Sequence, residues 1–598
     1  MIKLSDYIAK RLKEVYNVNH IFMISGGGAM HLNDSFGKYI PYICNHHEQA
    51  SAIAAEGYAR LNQDLAVVNV TTGPGGLNCL NGVFGQWTDT VPVLYISGQV
   101  KFATTIASCP DLKLRQLGDQ EVDIISVVKP LTKYAVMIKN PSEIKYHLDK
   151  AVYEATHGRK GPVWIDIPMN IQSSMIDEKK LKEFKNKESI KKNNALQPYI
   201  KKIIDKINAS QRPLIIAGNG IKLSKQEKCF ISIIKKLKIP VVTTFNGIDI
   251  LEYNDENFVG RIGTIGQRCG NFALQDADLV ISLGTRNNIR QVSYNWENFA
   301  KNAFKIIIDI DDNELKKPLV KPDMAIKADL SDFLPAFEKS IKTVMTEKFE
   351  KWMKFCKKLQ LKYSFENTKE YKQKSIHKIN PYIFINALTK LLDKKDIIVA
   401  GNGSACVCLF QAGIVKQGQR IIMNSGDASM GYDLPASIGA CVASNNKRRT
   451  VCLAGDGSIM MNLQELQTIK NYNLPVKIFV LNNNGYISIR QTQNNFFNGR
   501  LTACSVCSGV TLPDFTKIGK SFNLKSIKIK KVTLLEKQIK EVLDYNGPVL
   551  CEVILESDYI FLPKLSSKKL EDGTMISPSL EDMYPFLDRK EFEENIIK

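Results

Sequence analysis

Along the first 175 residues, short runs that are apolar at nearly every position alternate with stretches of helical period. HIFMISG, PYICNH, LAVVNVTTG, VPVLYISG and GPVWIDIP are separated by segments such as EQASAIAAEGYARL. Strands that are apolar on both faces and divided by helices belong to a parallel sheet covered on each side. The same pattern recurs twice, in RPLIIAGNGI, KIPVVTTF, ADLVISLGT and AFKIIIDID, and again in DIIVAGNGS, RIIMNSG, RTVCLAGDG, VKIFVLNNNG and PVLCEVIL. It predicts an α/β protein of three doubly wound parallel-sheet domains in series, at 1–175, 195–345 and 379–560. A Lys-rich connector runs to 195, a basic aromatic helix and linker occupies 348–375, and the Pro- and Ser-punctuated tail, 561–598, is expected to wrap the surface.

Length agrees, since 598 residues exceed one core and fit roughly three or four domains of about 150 residues. Hydrophobic residues make up 44% and charged ones 24%, a globular composition. No apolar run reaches the about 18 residues of a membrane span, and MIKLSDYIAKRLKEVYNVNH reads as an amphipathic helix; a cytoplasmic protein with no membrane partner is expected. The net charge of +20 comes from lysines scattered over helices and linkers, without a nucleic-acid-binding motif, so no nucleic-acid partner is expected. The 13 cysteines are expected to be reduced, and Cys504 and Cys507, a CxxC without a second pair, to lie in an ordinary loop.

The candidate chemistry starts at GDGSIMMNLQELQTIKNYNLPVKIFVLNNNG. A strand ends in Gly455-Asp456-Gly457-Ser458, a helix over MNLQELQTIKNY places Leu463, Leu466 and Ile469 on one face, and the next strand ends at Asn483. A right-handed βαβ unit brings Asp456 and Asn483 to the same carboxyl edge, where they can share one ion. A carboxylate, an amide oxygen and the main-chain carbonyl of Gly485, completed by diphosphate oxygens and water, form an all-oxygen shell suited to Mg²⁺. Gly455 and Gly457 let backbone approach a diphosphate, and Ser458 is expected to open a helix whose N-terminus favours the anion.

These stretches, with SGGGAMHL, NHHEQASAIAAEGYAR, TTGPGGLNCLNG, GRKGPVWIDIP and SMGYDLPASIGA, resemble the thiamine-diphosphate enzymes, and among them the acetolactate synthase-like group, from about residue 5 to 560. The resemblance implies thiamine diphosphate and Mg²⁺ held between the first, pyrimidine-binding domain of one subunit and the third, diphosphate-binding domain of another. That requires a homodimer or homotetramer. It also implies a structural FAD on the middle domain, a regulatory subunit in some members, and a place in branched-chain amino-acid biosynthesis. Glu48 corresponds to the glutamate at the aminopyrimidine N1′, its carboxyl shielded in an interface. Met430 corresponds to the residue wedged between the cofactor rings. Asn402 and Gly426 correspond to diphosphate or pyrimidine contacts, Gly28 and Gln120 to the lining of the reacting carbon, and Arg159 and Arg286 to the flavin site. HHEQ lacks the HExxH of a zinc site, so His46 and His47 are expected either to support neighbouring site residues or to lie in a polar core. The implied reaction decarboxylates a 2-oxo acid, with pyruvate the expected donor, and passes the two-carbon unit to a carbonyl acceptor or simply to a proton.

Three positions depart from the group. Thr492 replaces a tryptophan that recognises the acceptor, TRNNI keeps Arg286 but lacks two acids, and Met169 replaces a lysine. Together with the tail PSLEDMYPFL they resemble carboligases that acetylate a nucleotide-linked keto-deoxysugar, which stands as the alternative acceptor; simple decarboxylation is the other alternative.

Overall fold

The structure, a computed structural model, describes residues 1–186, 196–372, 378–569 and 572–597. The boundary expected at 195 lies outside them. The core consists of three six-stranded sheets, parallel throughout. The first holds β1 (Ile21–Met23), β2 (Tyr42–Cys44), β3 (Ala66–Val70), β4 (Val93–Gln99), β5 (Tyr134–Met137) and β6 (Val163–Pro168), in the order β2-β1-β3-β4-β6-β5. The second holds β7 (Pro213–Ala217), β8 (Val241–Thr243), β9 (Phe258–Arg261), β10 (Leu279–Leu283), β11 (Phe304–Asp309) and β12 (Met324–Lys327), in the order β9-β8-β7-β10-β11-β12. The third holds β13 (Ile397–Ala400), β14 (Arg420–Met423), β15 (Thr450–Gly455), β16 (Val476–Asn482), β17 (Lys525–Ile529) and β18 (Val549–Ile554). Its order, β14-β13-β15-β16-β18-β17, repeats that of the first sheet.

The central strands are the apolar runs read from the sequence; β3 and β4 are buried at every residue. Four strands, β5, β9, β12 and β17, were not expected, and all four lie at sheet edges.

Six helices matter to the site: α1 (Glu48–Asn62), α2 (Arg268–Asp276), α3 (Asp433–Ala443), α4 (Asp456–Ile459), α5 (Glu465–Asn471) and α6 (Ile487–Phe496). α1 and α3 cross at backbone contact, joining the first and third layers: a Cβ on Gly57 would fall 2.1 Å from the Ala436 carbonyl oxygen. The helix expected over 461–472 is shortened to α5, which a turn separates from α4. The buried Asn462 breaks it by donating its amide to the Gly431 carbonyl, 2.8 Å away. Leu466 and Ile469 still point inward, and Leu463 is half-buried.

The tail does more than wrap the surface. Leu580 and Met583 are 3% and 0% exposed. Arg268 donates to the Met583 carbonyl and Asn271 to that of Leu580, fastening the segment to α2 in the middle layer.

Candidate active site

β15 and β16 are neighbours with Gly455 opposite Leu481, so Asp456 and Asn483 emerge side by side at the carboxyl edge of the third sheet. Asp456 is buried. Its Oδ2 accepts from the main-chain N–H groups of Asn483 (3.0 Å) and Gly485 (3.1 Å), and its Oδ1 from Gly457 (2.7 Å). Burial pushes the carboxyl up to about 6, while those N–H donors pull the other way by stabilising the anion. The turn after β16 reverses through Asn484 and Gly485, at φ of 63° and 124°. Gly457 is required by contact, since a Cβ there would lie 2.1 Å from the Tyr486 ring. The amide Nδ2 of Asn483 donates to Ser404 Oγ (3.4 Å) and Tyr559 OH (3.5 Å). No group of three His, Cys, Asp or Glu able to hold a metal occurs among the described residues. A hard cation at this edge would therefore have to draw most of its charge balance from a ligand, as Mg²⁺ does on a diphosphate.

Ser458 does not open the helix. It lies inside α4, where its buried hydroxyl donates to Asp433 Oδ2 (2.6 Å) and accepts from the Gly431 N–H (2.9 Å). Its side chain is thus spent on the loop carrying Met430, which Asn462 grips from the other side. Asn402 reaches the same loop, donating to the Ala428 carbonyl at 3.0 Å. Gly426, earlier in that loop, faces the junction with the first and middle layers: its Cβ would meet Asp89 Oδ1 at 2.6 Å and Arg286 Nη2 at 3.0 Å.

At the edge of the first sheet, the loop TTGPGG after β3 gathers the other residues. Gly28 donates its N–H to Thr71 Oγ1 (3.1 Å) and accepts from Gln172 Nε2 (2.7 Å). A Cβ on Gly73 would lie 2.1 Å from the Gln120 carbonyl oxygen, and one on Gly75 3.8 Å from Glu48 Oε1. Glu48 starts α1 half-buried, its Oε2 accepting from Asn78 Nδ2 at 2.9 Å. The side chain of Gln120 is exposed, and its loop is set by a neighbour that the sequence did not flag. Glu121, buried, accepts from the N–H groups of Ile106, Leu117 and Gly118. His47 caps α1, its Nδ1 accepting from the Gln49 N–H at 3.1 Å, whereas His46 is exposed rather than part of a polar core.

A cavity of about 260 Å³ opens between the first and middle layers, lined in part by Arg159, Gly220, Phe245, Arg286, Asp309 and Glu314. Its floor is bare backbone: a Cβ on Gly220 would fall 2.7 Å from the Gly284 Cα. Arg159 donates to Asp311 (2.6 Å) and Glu314 (2.9 Å), while Arg286 Nη2 lies 3.6 Å from Asp89 Oδ1. Strand-end glycines, cations and a strand-end acid, Asp309, form a donor set that suits a dinucleotide. Thr492 is exposed on α6, its hydroxyl donating to the Ser488 carbonyl at 3.1 Å. Cys504 is buried and Cys507 exposed, and both are free thiols.

Three parallel layers with these two sheet-edge clusters define a thiamine pyrophosphate enzyme. The family models for the N-terminal TPP binding domain, the central domain and the C-terminal TPP binding domain of such enzymes match residues 2–126, 200–337 and 401–553. The acetolactate synthase large subunit of Lactococcus lactis subsp. lactis (strain IL1403) is 31% identical, covering 94% of this chain and 94% of its own length. That of Cyanidium caldarium is 29% identical over 95% of this chain and 96% of its own, and the isozyme 2 large subunit of Escherichia coli (strain K12) 29% identical over 90% and 93%. The chain belongs to the acetolactate synthase large-subunit family of thiamine pyrophosphate enzymes.

Proposed function

We propose that the protein decarboxylates a 2-oxo acid, pyruvate first among them, and joins the two-carbon unit to a second carbonyl compound. The observation that carries this is the near-full-length match to acetolactate synthase large subunits in a chain that keeps Glu48, Asp456 and Asn483. When bound, thiamine diphosphate supplies the carbanion and the electron sink. Asp456, Asn483 and the Gly485 carbonyl would hold Mg²⁺ against its diphosphate, and Met430 and Asn402 would support its rings and phosphates. Glu48 would keep a proton at the pyrimidine nitrogen. Gly28 and Gln120 would line the donor's approach.

Glu48 is only half-buried in one chain. The shielding such a carboxyl needs supports a second subunit laid over this edge, hence a homodimer or homotetramer, to which a regulatory subunit is a reasonable addition. The glycine floor and the cations Arg159 and Arg286 support FAD in the cavity, with a structural role; flavin absorbance of the purified protein, lowered in Arg286→Ala, tests it. The working domains remain 1–175, 195–345 and 379–560 with the tail 561–598.

A second acceptor, a nucleotide-linked keto-deoxysugar, is favoured by the small Thr492, exposed on α6 at the position where the family carries its acceptor-recognising tryptophan. Incubation with thiamine diphosphate, Mg²⁺ and pyruvate, alone and with a panel of keto acids and nucleotide keto-sugars, separates the readings by product mass. Acetolactate from pyruvate alone supports the main reading and a branched sugar the second; acetaldehyde as the sole product would overturn ligation.

A further inference from the structure

The turn after β16 leaves the Asn483 and Asn484 carbonyls outside both the ladder and a helix, because the chain reverses through Asn484 and Gly485. Such a turn holds its shape only if those oxygens find donors. A single side chain supplies them. Arg490, in the first turns of α6 and 8% exposed, donates Nη1 to the Asn484 carbonyl (2.7 Å). Its Nη2 donates to the Asn483 carbonyl (2.9 Å), to Asn483 Oδ1 (3.3 Å) and to the Ser557 carbonyl just past β18 (3.1 Å). None of these acceptors is a carboxylate.

Burying a guanidinium on neutral oxygens alone is costly. The geometry shows what the cation does there. Asn483 is held at both ends, its N–H on Asp456 and its C=O on Arg490, so an anion and a cation sit on opposite sides of one residue. Its side chain is fixed in the same way, with Nδ2 on Ser404 and Tyr559 and Oδ1 beside Arg490. A planar fork reaches three carbonyls and an amide at once, which an ammonium cannot do.

We infer that Arg490 is the positioning residue of the ion clamp, holding Asn483 and the turn to Gly485 in the shape that receives a divalent cation. The inference rests on the reading of the Asp456 and Asn483 turns as that clamp. Arg490 touches no reacting atom in this role; it acts through Asn483.

The test uses the full chain with thiamine diphosphate and Mn²⁺ as the probe ion, free Mn²⁺ being followed by electron paramagnetic resonance. Arg490→Gln should weaken Mn²⁺ binding about 10- to 100-fold, the usual effect of losing a residue that orients a metal ligand. Its unfolding temperature without the ion should stay near that of the parent chain. Arg490→Lys keeps the charge but not the fork and should bind Mn²⁺ at least several-fold more weakly than the parent. Parent-like Mn²⁺ affinity in either folded variant overturns the inference, and if Arg490→Gln does not fold, Arg490→Lys decides alone. Asp456→Asn is the control: if it binds Mn²⁺ like the parent, the clamp reading itself fails, whatever Arg490 does.

Discussion

Gly439 and Ala54 meet with no space for a side chain: a Cβ on the glycine would fall 1.7 Å from the Ala54 carbonyl oxygen. This contact lets α1 and α3 cross backbone to backbone and sets the distance between the first and third sheets. It makes a glycine that looks like a propensity defect in the helical DLPASIGA a packing requirement.

Gly439→Ala should therefore destabilise the fold, although alanine is the better helix former. Overpacking of a tight contact typically costs about 1–3 kcal/mol, against a propensity gain of about 1 kcal/mol. Chemical denaturation should show a lower midpoint; an unchanged or raised midpoint would mean that the helices can move apart freely.

Glu48→Gln keeps the shape of the side chain and removes its acidity. Turnover should fall about 10²- to 10⁴-fold, the range for loss of a positioned acid or base, with thiamine diphosphate still bound. Stopped turnover assays and cofactor-induced circular dichroism on the same sample check both halves.

Glu121→Gln removes the anion on which three main-chain N–H groups of the 101–121 loop converge. Hydrogen bonds to a charged group contribute about 1.5–3 kcal/mol each at most, so the loop should open before the domains do. Trypsin cleavage at the exposed Lys113 and Arg115 should accelerate, with little change in global unfolding.

Asp166 gives a pH signature. It is fully buried under Ser97 and Gln99, and burial pushes its carboxyl up to about 7 despite their hydrogen bonds. The folded state thus holds this proton more tightly than the unfolded chain, whose carboxyl titrates near about 4. Its stabilising contribution is complete below that value and is lost as pH rises through about 7. The change is on the order of 1.4 kcal/mol per pH unit inside the window. Asp166→Asn should flatten that slope, so melting curves of the two proteins should converge toward the parent's favour at low pH and diverge toward the variant's at high pH.

The sequence disclosed the buried strands and two of the six edge strands, β2 and β14, and concealed the other four. HIFMISG, LAVVNVTTG and VKIFVLNNN are apolar on both faces because sheet and helices cover them, and those strands were all found. β5, β9, β12 and β17 each have a neighbour on one side only. MAIK and KSIKI mix lysine with apolar residues, as edges exposed to water do, and resemble loops in a linear reading. The same limit applied at the site. GDG and NN are local signals, and register alone brings them together. Ser458, Glu121 and Arg490 act through contacts set by loops, so a serine read as an anion-binding helix start proved to brace Met430's loop. Arg490 left one trace in the sequence, an arginine in the first turn of the helix that follows an asparagine turn.

The repeated strand order has a further consequence. α1 and α3 follow the second strand of their respective sheets, and they meet reciprocally: Gly57 lies on the Ala436 carbonyl and Gly439 on that of Ala54, each glycine three residues beyond its alanine. The first and third layers of one chain are therefore related by an approximate internal two-fold. Under it, the loop after β3, where Gly28, Glu48 and Gln120 gather, is the twin of the loop after β15, which carries Asp456. The two half-sites are built from the same corner of one winding used twice. A second copy that mated its Glu48 corner with this chain's Asp456 corner across a two-fold axis between the copies would mate the reverse pair as well, so complete sites would arise two at a time.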